Sequence, residues 1–286
     1  MKKTLISLML ASSLTLTGCS SITSLVAKPD NEKTVEDFYG AATAGFSNKQ
    51  WDIAITNYEK LKAYYPYGPY AEQSHLELAY AYYRYDEAES AILELEEFIR
   101  LYPRHKELDY AYFLRALAAD SIIRSWLDNF ITDPATRDVK STKRAYRYYN
   151  DVIAKFPNSK YTVAASKRIV ILSNQMARSE LHVAQYYFDR KAYLASANRA
   201  KYILENYPQS ASTIDAIQLM TQAYSELGMT QIANDAIKVY ELNSDAKETA
   251  SDVSFSASNK AANKSVEKED SSWWSNIIDS IGSIFD

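Results

Sequence analysis

The chain reads as an all-α solenoid, a run of about five antiparallel helical hairpins, and three observations predict it. Glycine and proline are scarce, six and seven in 286 residues, so few elements can be ended by turn residues. Tyrosine is abundant at 24, enough to supply large packing groups throughout a helical core. The third observation is where the prolines fall. Four follow an aromatic residue, at Tyr65-Pro66, Tyr102-Pro103, Phe156-Pro157 and Tyr207-Pro208. Twelve residues before each proline stand Ala54, Ala91, Ala145 and Ser196, and five before stand Leu61, Phe98, Val152 and Ile203. Twenty-four before, in three of the four, stand Ala42, Ala79 and Ala184. Two antiparallel helices pack closely only if small residues face each other where they cross, with bulky residues to either side and a proline ending the second helix. A unit of about 34 residues built this way is the tetratricopeptide repeat.

The first eighteen residues are not part of that body. Lys2 and Lys3 precede an apolar run from Leu5 to Leu16, and small residues follow, which is the layout of a secretory signal. Leu16-Thr17-Gly18-Cys19 ends it, and Cys19 is the chain's sole cysteine. The segment resembles a bacterial lipobox, whose cysteine carries a diacylglycerol and an N-acyl chain and becomes the first mature residue. Two or more acyl chains hold a protein stably on a bilayer, at about 0.8 kcal/mol per buried methylene. Ser20 after the cysteine, in place of aspartate, resembles the sorting default for the outer membrane. Residues 19–33 then read as the lipidated end and its tether, with Pro29-Asp30-Asn31 breaking any helix; the fourteen residues 20–33, fully extended, reach at most ~50 Å.

The repeat domain spans 34–243. Residues 35–66 and 70–103 are two regular copies. The third is stretched, with helices at 107–123 and 139–156 separated by the insertion 124–138, "RSWLDNFITDPATRD". The fourth has a longer lead, 161–178, which reads as an extra helical stretch. A fifth, without its proline, occupies 214–241, with Gly228 at the turn and Ala233, Ile237 and Tyr240 following. Residues 244–271 read as a disordered linker, since Val253, Phe255 and Val266 are the only apolar side chains there larger than alanine. The end, 272–286, is an amphipathic helix by pattern. Trp273, Trp274, Ile277, Ile278, Ile281, Ile284 and Phe285 form a continuous stripe, opposed by Asp279 and Asp286. Membrane-surface helices carry Lys/Arg on the polar face. This one has none, so it suits docking into a partner groove or back onto the solenoid.

No catalytic constellation is visible. His75, His105 and His182 are isolated, and there is no HExxH, no glycine-rich phosphate loop and no GxSxG. The expectation is a non-enzymatic binding scaffold without metal or cofactor beyond the lipid on Cys19. Without the two signal lysines the net charge falls from −4 to −6, which disfavours nucleic acid as a partner. Two surfaces stand out besides the tail. "YYPYGPY" at 64–70 sets aromatics around two prolines, a rigid wall able to receive an extended peptide; Tyr67, Gly68 and Tyr70 are its candidates, with Tyr65 expected to pack between repeats. The other is charge. Residues 124–168 hold ten Lys/Arg against four Asp, a net of +6, whereas 86–109 hold eight acids against three bases, a net of −5. Lys140, Lys143, Arg144 and Arg147 share one helical stripe. It is either a solvated face or a dock for an acidic partner domain.

The lipobox, the five repeats, "YPYGPYAEQ" at 65–73, "FIRLYPRH" at 98–105 and "FPNSKYTVAASKRIVIL" at 156–172 together resemble the BamD family, lipoproteins of the outer-membrane β-barrel assembly machinery. The resemblance covers roughly residues 16–243 and also fits the stretched third repeat. It implies a scaffold on the periplasmic face of the outer membrane. The first repeats would receive targeting segments of unfolded outer-membrane proteins. The last would hold the final periplasmic domain of the barrel-forming subunit and touch accessory lipoproteins. Arg199 in "SANRAKYIL" matches the family's contact to the barrel subunit. The tail beyond about Asp245 departs from the short end of that family. A different periplasmic repeat adaptor, serving cell-wall or division complexes, is the alternative reading.

Overall fold

The computed structural model describes residues 28–68, 70–123, 135 and 139–243. The leader, Cys19, nearly all of the 124–138 insertion, the 244–271 linker and the 272–286 tail lie outside the described residues. Among the described residues there are ten α-helices and no strand. A short 3-10 turn, Asp30–Glu32, comes first. Then follow α1 (Val35–Ser47), α2 (Trp51–Tyr64), α3 (Ala71–Arg84), α4 (Ala88–Leu101), α5 (Leu108–Ser121), α6 (Val139–Lys155), α7 (Thr162–Asp189), α8 (Tyr193–Asn206), α9 (Thr213–Glu226) and α10 (Thr230–Asn243).

Local chemistry starts and stops these helices in a repeated way. Thr34 and Asp37 form a capping box at the head of α1: the Asp37 N–H donates to Thr34 Oγ1 (3.3 Å) and the Thr34 N–H to Asp37 Oδ2 (3.0 Å). The turns after α1, α3, α7 and α9 each hold one left-handed residue, Lys49, Asp86, Lys191 and Gly228, with φ between 59° and 70°. After α1, α7 and α9 the following N–H reaches back five residues, Gln50 to Gly45, Ala192 to Tyr187 and Met229 to Tyr224, at 2.8–3.0 Å. That bond satisfies a carbonyl at the helix end and reverses the chain. The turns after α2, α4, α6 and α8 form at the aromatic-proline pairs. Tyr65, Tyr102 and Tyr207 each donate an N–H to the carbonyl four residues back, at 2.8 Å, and proline then forbids continuation.

The predicted crossing residues are buried as expected. Ala42, Ala54, Ala79, Ala91, Ala145, Ala184 and Ser196 are fully buried, as are Phe98, Val152 and Ile203, with Leu61 at 1% exposure. At the α1–α2 crossing even a methyl is too large. A Cβ on Gly45 would meet the Ala54 backbone nitrogen at 2.9 Å.

The chain divides into two compact units, at Tyr85 and Asp86. In the first, α1 packs on α2, α2 on α3, and α1 also touches α3. Its core is built from Phe38, Ala42, Tyr58, Leu61 and Leu78. In the second, α4 to α10 pack in succession, and α7 also touches α9. Packing of each helix on the next, with contacts two helices on, is the arrangement of stacked tetratricopeptide-type hairpins. Two expectations are refined. The lead of the fourth repeat is not a separate stretch; α7 runs unbroken for 28 residues because 162–189 contains no proline or glycine. The end of the tether is held against the body. Asp30 binds Lys33 and Lys60, both at 2.7 Å, and the Tyr65 hydroxyl donates to the Lys33 carbonyl at 2.8 Å.

Candidate peptide- and partner-binding surfaces

The "YYPYGPY" segment joins α2 to α3 within the first unit, and the structure sorts its tyrosines. Tyr67 is 89% exposed and Gly68, at φ 134°, supplies a backbone conformation that L-residues rarely adopt. Tyr64 is half exposed, its ring stacked on Phe38 at 5.5 Å. Tyr65 turns inward to the Lys33 carbonyl. Tyr70, expected to be free, is instead stacked on Tyr39 at 4.3 Å, because the residues leading into α3 run alongside α1. The result is a wall of fixed rings with Tyr67 projecting from it.

Behind that wall lies a group that sequence reasoning missed. Glu77 on α3 is 8% exposed. Its carboxyl accepts from the Tyr58 hydroxyl at 2.6 Å, Gln73 Nε2 at 2.8 Å and, more weakly, the Tyr39 hydroxyl at 3.5 Å. Burial pushes the Glu77 pKa up against the opposing pull of these three donors. Burial, followed by the neighbouring Glu77 charge, also raises Tyr58 and Tyr39. The available signal was an acid inside the continuous apolar run "LELAYAYY". Tyr39 ties the exposed wall to this cluster, stacking on Tyr70 while bonding Glu77.

In the second unit the basic stripe is only partly available. Lys140, Lys143 and Arg147 are exposed on α6, as predicted. Arg144 is engaged within the unit: both its terminal nitrogens donate to the Glu89 carboxylate of α4, at 3.0 and 2.5 Å. Nearby, the Tyr148 hydroxyl donates to Glu96 at 2.9 Å. Arg115 donates to Asp151 at 2.8 Å and lies 4.0 Å from the centre of the Tyr148 ring. The positive and negative segments that the sequence set apart therefore meet each other within the unit. Arg199 on α8 is 46% exposed and donates to Glu180 on α7 at 3.0 Å, leaving part of its guanidinium open to solvent. No helix among the described residues is long and apolar enough to cross a membrane.

Residues 31–239 match the family described as outer membrane lipoprotein, YfiO. The chain belongs to that family. Three curated relatives each carry the name outer membrane protein assembly factor BamD. The Xylella fastidiosa protein (strain 9a5c) is 35% identical over 240 residues, 84% of this chain and 82% of its own. That of Neisseria meningitidis serogroup A is 34% identical, covering 85% of this chain and 91% of its own, and that of Vibrio cholerae is 32% identical, covering 85% and 99%. The family is thus one of outer-membrane assembly factors, and its matched region coincides with the helical repeats described above. Trp273 to Phe285 lie beyond it.

Proposed function

We propose that the protein is a scaffold of outer-membrane β-barrel assembly, anchored at the periplasmic face by lipid on Cys19. Its first unit takes extended segments of unfolded outer-membrane proteins. Its second holds the last periplasmic domain of the barrel-forming subunit and accessory lipoproteins. The observation that carries this reading is the exposed Tyr67 on a wall of stacked rings, in a chain of the assembly-factor family. An extended client can lay aromatic and apolar side chains against such rings at little ordering cost, since the wall is already rigid. Arg199, half exposed and aimed by Glu180, suits a carboxylate or backbone carbonyl of the barrel subunit. Lys140, Lys143 and Arg147 give an acidic domain a surface of complementary sign. The work is binding, and no step in it calls for a catalytic group.

Affinity purification from gently solubilised membranes tests the assignment, with recovery of the barrel-forming subunit as the expected result. Its absence would count decisively against the assembly role. In the same preparations Tyr67→Ala is expected to weaken binding of an aromatic-ending client peptide at least about fivefold with no change in Tm, the ~1 kcal/mol scale of one aromatic contact. Unchanged peptide affinity would remove the first unit as the client site. Reversal of Lys143 and Arg147 to Glu is expected to lose one partner while the fold persists; full recovery of every partner would return the stripe to a merely solvated face.

A further inference from the structure

The two ends of the repeat array are finished differently. On α1, the first helix, the exposed positions are Glu36, Asp37, Gly40, Ala41, Ala44 and Ser47, and every large apolar residue is turned inward. On α10, the last, Ala233 and Ala236 are buried against α9, yet Ile232 is 47% exposed, Val239 43% and Leu242 84%. Those three lie at i, i+7 and i+10, one edge of the helix about 15 Å long at 1.5 Å per residue. A terminal repeat normally presents a polar outer face, since no further repeat follows to cover it. Here the three aliphatic side chains, with Ile237 at 38%, stand exposed among Gln231, Asn234, Asp235, Lys238 and Glu241.

We propose that the chain's own tail, Trp273 to Phe285, docks along this edge of α10 and closes the array in cis. The tail's apolar stripe from Trp274 to Phe285 spans about 17 Å as a helix, matching the length of the exposed edge. The 29 residues of 244–272 form a polar linker with a root-mean-square reach of about 30 Å, against the roughly 21 Å length of α10. Tethering at that range gives an effective concentration on the order of millimolar, so a contact with a Kd of ~0.1 mM would be about nine-tenths formed. A second copy of the chain has no such advantage. Anionic membrane is disfavoured because the tail carries Asp279 and Asp286 and no Lys or Arg. The tail also lies outside the region shared with the family, as an end cap particular to this chain would.

The test uses the full mature chain with Cys19 replaced by serine, so that introduced cysteines are the only thiols. Leu242→Cys with Ile281→Cys is expected to form a disulfide within one chain under mild oxidation, whereas Lys143→Cys on α6 with Ile281→Cys is not. Hydrogen exchange supplies a second readout. Amides of 230–243 should exchange at least tenfold faster in the full-length Trp274→Asp/Ile278→Asp variant than in the unsubstituted chain, and equally fast in a chain ending at 243. Equal exchange in all three chains overturns the proposal. So does a disulfide in the Leu242→Cys/Ile281→Cys variant that joins two chains, or a tail protected only when vesicles containing anionic lipid are added.

Discussion

Glu77 in the first unit and Asp120 in the second are both carboxylates less than a tenth exposed, and they are accommodated in opposite ways. Asp120, 2% exposed on α5, faces Arg168 of α7 in a two-pronged pair, Nε to Oδ2 at 2.7 Å and Nη2 to Oδ1 at 2.9 Å, with the Tyr149 hydroxyl at 3.3 Å. Its charge is matched where it sits. The donors on Glu77 are the neutral groups of Tyr58, Gln73 and Tyr39, and its proton is held more tightly than a carboxyl in water holds it. An ion pair fixes α5 to α7 in one register, since both prongs fail together if either helix slides. The tyrosine–glutamate cluster ties α1, α2 and α3 by hydrogen bonds that survive loss of the charge. The first unit's buried carboxyl is thus held by neutral donors where the second unit's is held by an opposite charge.

That contrast can be broken most forcefully at Asp120. Asp120→Asn keeps the shape but removes the carboxylate charge that the largely buried Arg168 guanidinium grips with both prongs, and is expected to cost about 3–5 kcal/mol, read as a fall in the chemical-denaturation midpoint. A loss below about 1 kcal/mol would mean the pair is no register lock.

Glu77→Gln should act in the other direction. Because the folded pKa is raised, folded and unfolded states are both protonated below the ordinary value of 4.5 and stability is there independent of this group. As pH rises above that value the unfolded chain releases the proton first, so stability declines until the folded pKa is passed. The glutamine variant has no proton to lose. It is expected to flatten this decline and to be the more stable of the two chains at pH 8, measured as Tm across pH 4–8. A decline of the same slope in the variant would place its origin elsewhere.

The smallest effect concerns the crossing positions. Ala54 serves at the α1–α2 crossing of the first unit, and Ser196 at the α7–α8 crossing of the second. Both are fully buried, and among the described residues Ser196 Oγ has no hydrogen-bond partner. Ser196→Ala is therefore expected to stabilise the chain by about 1 kcal/mol, removing a desolvated hydroxyl without creating a cavity. Destabilisation would show that the hydroxyl has an unrecognised partner.

Much of the framework was legible because its determinants are local and repeated. A proline after an aromatic ends a helix wherever it occurs, and Ala54, Ala91 and Ala145 sit at the crossings for a reason that spacing alone reveals. The left-handed residues were harder to see. Gly228 announced its turn, but Lys49, Asp86 and Lys191 adopt the same φ without a glycine to mark them. The surfaces were legible only in outline. The segment 64–70 was found as aromatic and the stripe on α6 as basic, yet Tyr70 proved to be packed and Arg144 paired.

What the sequence by itself determined, then, was the class of fold, its period and the residues at helix crossings, since short-range sterics and hydrophobic spacing decide these within one hairpin. The tertiary structure alone decided which polar groups are engaged. Arg144 lies 55 residues from Glu89, Asp120 lies 48 from Arg168, and Tyr39 lies 38 from Glu77. Such pairs are made by helices brought together through packing, so no window of the sequence holds both partners. Charge and aromaticity are written residue by residue, but their availability to a partner is a property of the folded neighbourhood.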